Sequence, residues 1–216
     1  MSKYSVILFD MDGTIANTDE MIVQTFLVLY KLYRKDAPAT PIEQIYYFSG
    51  PPIKETLKKE FPDMDQKFIW DEFHRISWEL YPKYTKGYPR CRESLLYLKE
   101  KGYRLGVVTN KIHRTTEYCI KLLNLEGLFD VVIGADDVSV GKPNPEGMNK
   151  AMHTLGENNM NKVLYIGDNE SDLLTANNSG CDCALVNWGP RKLPDDIKCK
   201  YRISSFDELV EAIEHE

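Results

Sequence analysis

Apolar positions along this chain follow two rhythms. Val6-Ile7-Leu8-Phe9 is a short continuous apolar run and reads as a buried strand. From residue 18 to about residue 84 the spacing changes to three and four. Met21, Ile22, Thr25, Phe26, Leu29 and Leu32 mark one helix face. A short helix is predicted over 42–48. Ile53, Thr56, Leu57 and Phe61 mark another helix, and Ile69, Phe73, Ile76 and Leu80 one over 68–81. Breaks fall at Ala37-Pro38-Ala39-Thr40-Pro41, at Ser49-Gly50-Pro51-Pro52 and at Pro62. This stretch is rich in Tyr, Phe and Trp, enough for a small helical unit to make its own core. Residues 82–89, from Pro82 through Gly87 to Pro89, read as a linker.

A strand–helix alternation follows. Strands are predicted at 104–109, 131–133, 162–166, 183–186 and 201–203. Helices are predicted at 92–101, 115–123, 145–155, 172–179 and 206–213, with Gly102 and Gly180 as stops. Such alternation implies a parallel sheet covered on both faces. The expected architecture is an α/β, doubly wound, Rossmann-like core with an all-helical cap inserted into it. The core comprises residues 1–17 plus 87–216, and the cap residues 18–86.

The chain has 216 residues, 43% of them hydrophobic and 28% charged, an ordinary soluble composition that can bury a core. A formal charge of −6 with no Lys/Arg block argues against nonspecific nucleic-acid binding. It leaves an anionic substrate open, because a bound cation reverses the local sign. No stretch reaches the ~20 apolar residues of a membrane span, and the four-residue run after Met1-Ser2-Lys3-Tyr4 is too short for a secretion signal. Five scattered cysteines are expected to be reduced structural thiols. A cytoplasmic protein is therefore expected, monomeric or homodimeric, with no membrane or nucleic-acid partner.

Asp10 and Asp12 stand one residue apart where the first strand ends, with Gly13 and Thr14 after them. Residues i and i+2 of an extended stretch point the same way, so the pair repels unless a cation, a proton or a phosphate task justifies it. On this segment alone an acidic turn serves equally well. Three further stretches follow strands: Thr109-Asn110, Gly141-Lys142-Pro143, and Gly167-Asp168-Asn169-Glu170-Ser171-Asp172. In an open parallel sheet strand ends converge on one crevice. That crevice would hold Asp10, Asp12, Asp168 and Asp172 beside Thr109 and Lys142. Oxygen-only acidic neighbours suit a hard cation, most simply Mg²⁺. Lys and Thr suit phosphoryl oxygens, and phosphoryl transfer needs little beyond positioning and charge neutralisation. One Asp can attack phosphorus and the other can shuttle the proton.

The four stretches in order resemble the motifs of the haloacid dehalogenase-like superfamily, on its phosphatase side, and the likeness covers the whole chain. The resemblance implies Asp10 as nucleophile and Asp12 as general acid/base, with Asp12 also offering its backbone carbonyl to the metal. It implies Asp168 as a side-chain Mg²⁺ ligand and Asp172 as binding or orienting the metal shell, so that Asp10, Asp12, Asp168 and Asp172 form the metal set. Thr109 and Lys142 would grip the phosphoryl group, with the Asn110 N–H assisting. The family's dehalogenase branch lacks the carboxylate two residues past the nucleophile, so Asp12 points to phosphoryl transfer. One departure is Asp168-Asn169, where some relatives carry adjacent acids; this leaves Glu170 as a rival to Asp172.

In such an architecture cap residues choose the substrate. The turn 49–52 opens a helix whose first turn carries Lys54, a candidate anion contact, though a helix start with Lys54 in solvent fits as well. The stretch resembles cap loops of phosphoglycolate phosphatase-like and pyrophosphatase-like members. The expected activity is Mg²⁺-dependent hydrolysis of a small phosphorylated metabolite through an aspartyl phosphate, with phosphoglycolate the first choice. Inorganic pyrophosphate, a nucleotide, a sugar phosphate, or a mutase reaction of the β-phosphoglucomutase kind are alternatives. A non-enzymatic phosphate-binding module is disfavoured by the complete carboxylate set.

Overall fold

The computed structural model describes residues 2–34, 39–49, 51–191, 193–194 and 196–215. Ala37, Pro38 and Gly50, parts of the expected break and turn, lie outside the described residues. Strand β1 (Val6–Phe9) is buried on both faces, which is why its sequence does not alternate. After it come β2 (Ala16–Asn17) and helix α1 (Asp19–Tyr33), whose first turn carries Asp19 and Glu20 against the positive end of the helix dipole. Then follow α2 (Ile42–Ile45), α3 (Ile53–Glu60) and α4 (Gln66–Tyr84). Asp65 caps α4 by accepting from the Phe68 N–H at 2.7 Å.

The aromatic residues of this stretch pack together, but not as a core of their own: they belong to one apolar cluster continuous with Ile7, Phe9 and Leu95. Phe26 packs within 4.8 Å of Phe48 and 5.8 Å of Phe73, ring centre to ring centre, and Tyr30 within 5.6 Å of Phe61. Glu60 ties α3 back to α1, accepting from Tyr30 Oη at 2.6 Å and pairing with Arg34 at 2.7 Å.

The expected linker beginning at Pro82 needs correction. Helix α4 continues through Pro82 to Tyr84, and the Thr85 N–H closes the last turn on the Tyr81 carbonyl at 3.0 Å. Proline forfeits one hydrogen bond in a helix. Here the neighbouring Tyr81 is buried, with its ring against Tyr118, and that packing holds the last turn in place. The chain then returns as β3 (Lys86–Gly87), antiparallel to β2. These two-residue strands are too short for any period in the sequence to mark.

The rest alternates: α5 (Cys91–Glu100), β4 (Arg104–Val108), α6 (His113–Leu122), β5 (Val131–Ile133), α7 (Glu146–Thr154), β6 (Val163–Gly167), α8 (Glu170–Ser179), β7 (Asp182–Val186), β8 (Tyr201–Ile203) and α9 (Phe206–Glu214). Gly180 ends α8 at φ +76°, a left-handed position that glycine takes without strain. The strands form one parallel sheet in the order β5-β4-β1-β6-β7-β8. Ile7 and Phe9 face one apolar layer with Leu95, Leu98 and Leu209; Val6 and Leu8 face the other with Met148, Met152 and Ala176. The chain winds from β1 towards β5 on one side and from β6 to β8 on the other. The switch point therefore lies beside β1, where open α/β sheets bind ligands. No helix among the described residues is long and apolar enough to cross a membrane.

Candidate active site

Asp10 leaves β1 with its N–H bonded to the Ile166 carbonyl at 2.8 Å, so the two central strands fix its position. Its carboxylate is buried. Lys142 Nζ lies 2.8 Å from Asp10 Oδ1 and 2.6 Å from Asp172 Oδ1, and all three side chains are 3% exposed or less. Buried charges of this kind persist only when paired. Lys142 is also held by Tyr165, whose Oη accepts from Nζ at 3.0 Å and donates to the Val108 carbonyl at 2.7 Å. Burial favours the neutral amine, but Asp10 and Asp172 together outweigh it and raise the Lys142 pKa, so the ammonium is kept. Burial raises the Asp10 pKa; the charge of Asp172 adds to this, while Lys142 and the Thr109 hydroxyl oppose it.

Asp172 serves two masters. Its Oδ2 accepts from the Asp168 N–H at 3.0 Å and the Asn169 N–H at 3.1 Å, completing a capping box with Asn169 at the start of α8. Its Oδ1 takes Lys142. The protein's own donors thus engage both oxygens, which favours an orienting role over direct ligation.

Asp168 is buried and faces Arg191, which donates from Nε at 2.8 Å and from Nη2 to the same Oδ2. Burial pushes the Asp168 carboxyl up to about 7 against the pull of that guanidinium. Gly13 sits alongside at φ +85°, and a β-carbon there would overlap both Arg191 and Asp168.

Asp10, Asp168 and Asp172 each bring a carboxylate oxygen within 4.8 Å of the others. Among the described residues Asp10 Oδ1 finds no well-aligned hydrogen bond despite its burial and its ion pair with Lys142. An all-oxygen anionic set with an oxygen in that state fits a hard divalent cation.

Asp12 stands apart from this cluster. Its carboxylate accepts from Thr18 Oγ1 at 2.7 Å and from Lys111 Nζ at 2.9 and 3.0 Å. Thr18 precedes α1 yet makes no side-chain cap, because its hydroxyl is engaged by Asp12. Burial acts to lower the Lys111 pKa, but the charge of Asp12 and then Tyr81 raise it well above the usual lysine range; Nζ also lies 4.6 Å from the Tyr81 ring centre.

A cavity of about 60 Å³ lies over Asp10, Asp12 and Thr109. Its opposite wall comes from the chain between β2 and β3: Ile22, Phe48, Pro51, Ile53, Phe73, His74 and Tyr81. That is room for a few water-sized atoms.

The site residues expected from sequence are mostly brought together: Asp10, Thr109, Lys142, Asp168 and Asp172 in one cluster, and Asp12 beside it. Asn110 lies in the cavity wall, and its side chain braces the main chain of Lys142. Lys54 is elsewhere. It is exposed, with Nζ 4.8 Å from the Trp70 ring centre, and it does not line the cavity. Lys111, His74, Tyr165 and Arg191 enter the site unannounced. Lys111 directly follows Thr109-Asn110, the one signal that could have flagged it. Half-buried His74 has its pKa lowered to about 4, by burial first and then by the charges of Lys111 and Lys54.

A model of the haloacid dehalogenase-like hydrolase family matches residues 7–186. The chain is 34% identical over 195 residues to the pyrophosphatase PpaX of Halalkalibacterium halodurans, covering 88% of this chain and 86% of that protein. Its fold matches a haloacid dehalogenase-like family hydrolase from Streptococcus pneumoniae with a TM-score of 0.85 at 21% identity, over 98% of this chain and 99% of the other. It also matches a predicted phosphoglycolate phosphatase from Haemophilus somnus 129pt, with a TM-score of 0.81 at 21% identity, over 98% and 99%. With the family model spanning the crevice from β1 to β7, the chain belongs to the haloacid dehalogenase-like hydrolase family.

Proposed function

We propose that this protein is a divalent-cation-dependent phosphatase acting on a small phosphorylated substrate, with inorganic pyrophosphate first and 2-phosphoglycolate second. One observation carries the reading. A buried lysine bridges Asp10 to Asp172, and Asp10 itself lines a small cavity together with a third carboxylate, Asp12. The order of substrates rests on the PpaX relative, the nearer in sequence of the proteins compared above.

In this reading Asp10 attacks phosphorus and carries the phosphoryl group as an aspartyl phosphate. Asp12, steadied by Lys111 and Thr18, gives a proton to the leaving oxygen and then takes one from water. Lys142 and Thr109 hold the phosphoryl oxygens. Asp10 and Asp168 would hold Mg²⁺, which neutralises charge in the transition state, while Asp172 orients Lys142. Residues 18–86 act as a cap over the core, and β2 and β3 are its two crossings.

The test is phosphate release from pyrophosphate, 2-phosphoglycolate and glucose 1-phosphate, with Mg²⁺ and with chelator. Mg²⁺-dependent hydrolysis that Asp10→Asn abolishes supports the reading. Turnover that ignores chelation, or that survives Asp10→Asn, overturns it; isomerisation of the sugar phosphate would mark a mutase.

A further inference from the structure

Arg191 belongs to a loop that the core anchors. Two residues past β7, Trp188 stacks on Phe206 with ring centres 4.6 Å apart, and its Nε1–H donates to the Gly13 carbonyl at 3.2 Å. From this loop the Arg191 side chain runs inward and is 4% exposed. Its donors divide between two parts of the molecule. Nε and Nη2 both go to Asp168 Oδ2. Nη1 goes across the cavity rim to the carbonyls of Ser49 at 3.1 Å and Tyr46 at 3.3 Å, and lies 3.5 Å from Asp19 Oδ1. One rigid planar group therefore joins the metal-cluster carboxylate to the segment that walls the cavity.

We infer that Arg191 is a positioning residue: it sets Asp168 for cation binding and makes that setting depend on the docking of the 46–49 segment. The inference rests on Asp168 being a cation ligand, as proposed above. Two features indicate that Arg191 stays when the cation enters. Both core-facing bonds fall on Oδ2, and among the described residues Oδ1 has only the Asn169 amide at 3.4 Å. The buried cluster of Asp10, Asp19, Asp168 and Asp172 faces two cations, Lys142 and Arg191, which leaves a formal charge of −2 for a divalent ion. If the guanidinium had to leave, two backbone carbonyls and a buried Asp19 would lose their partner, a costly exchange.

The full-length protein tests this by hydrogen–deuterium exchange without metal and by calorimetric titration with Mg²⁺. Arg191→Met should raise exchange in 42–49 at least tenfold and weaken Mg²⁺ binding about tenfold. Arg191→Lys should recover part of the Mg²⁺ affinity but not the protection of 42–49, because an ammonium cannot span both partners. Asp168→Asn decides the matter even if Arg191→Met fails to fold. It should also raise exchange in 42–49, since its link to that segment runs through Arg191. Unchanged exchange in Asp168→Asn, or Mg²⁺ binding by folded Arg191→Met as tight as in the parent, overturns the inference. A parent that takes up no Mg²⁺ overturns the cation role of Asp168 and the positioning role built on it; the exchange result then judges the Arg191 link alone.

Discussion

Asn110 holds the main chain of Lys142 at both ends of one residue: Oδ1 accepts from its N–H at 2.8 Å and Nδ2 donates to its carbonyl at 3.2 Å. The loop after β4 thereby fixes where the lysine of a distant loop begins. Asn110→Ala removes both bonds. It should cost about 1–2 kcal/mol in urea unfolding and lower kcat roughly tenfold, with KM nearly unchanged, through a looser Lys142.

Tyr165 supports the same lysine from below. Tyr165→Phe strands the Val108 carbonyl in an apolar layer and removes an acceptor from a buried ammonium. The expected loss is about 1–3 kcal/mol, read from the shift in denaturation midpoint at constant slope.

Asp12 and Asp10 should separate in a single-turnover experiment. With Asp12→Asn the attack on substrate is slowed but the release of phosphate from Asp10 loses its base, so kcat falls by about 10²–10⁴. Acid-quenched protein should then carry a covalent phosphoryl group by intact mass. Asp10→Asn protein should carry none.

His74 predicts a pH dependence of stability. Its folded pKa of about 4 lies below the ordinary value of 6.5, so between those values the unfolded chain binds a proton that the folded chain does not. Stability therefore rises with pH across that window and is lost as pH falls from 6.5 to 4. Allowing for partial exposure, the loss is about 2 kcal/mol. Urea titrations of the parent and His74→Gln at pH 7 and 4.5 check it: the variant should lose less on acidification.

Much of this site could be read from order alone. Asp10, Thr109 and Asp168 each follow a run of apolar residues whose strand character is plain, Lys142 stands in the loop after β5, and parallel strands deliver their ends to one place. Asp172 was legible too, because α8 begins beside Asp168 and its first turn points back. The remaining residues have no such marker. Tyr165 is a mid-strand aromatic in an apolar run, and only the sheet order places its hydroxyl under Lys142. His74 sits in a helix of ordinary amphipathic pattern. Arg191 lies in a loop with no period at all, and its role depends on three segments meeting. Lys54 carries two readings, an anion contact and a helix start in solvent, which its place in the sequence does not separate. A lysine in a first helical turn suggests an anion, but the orientation of α3 turns this one onto Trp70. Pro82 misled through a local rule that packing of Tyr81 overrode.

The pairing of β2 with β3 has a consequence for how such a molecule can vary. Asn17 and Lys86 are opposite each other across the ladder, so their Cα atoms are only about 5 Å apart. Everything between them is one closed excursion from the covalent path of the sheet. Lengthening such an excursion costs little chain entropy, since each doubling adds only about 0.6 kcal/mol. The register of the six parallel strands does not depend on it. The length of this excursion can thus change without moving the strands beneath it, provided that Thr18, Tyr46 and Ser49, which engage Asp12 and Arg191, keep their places.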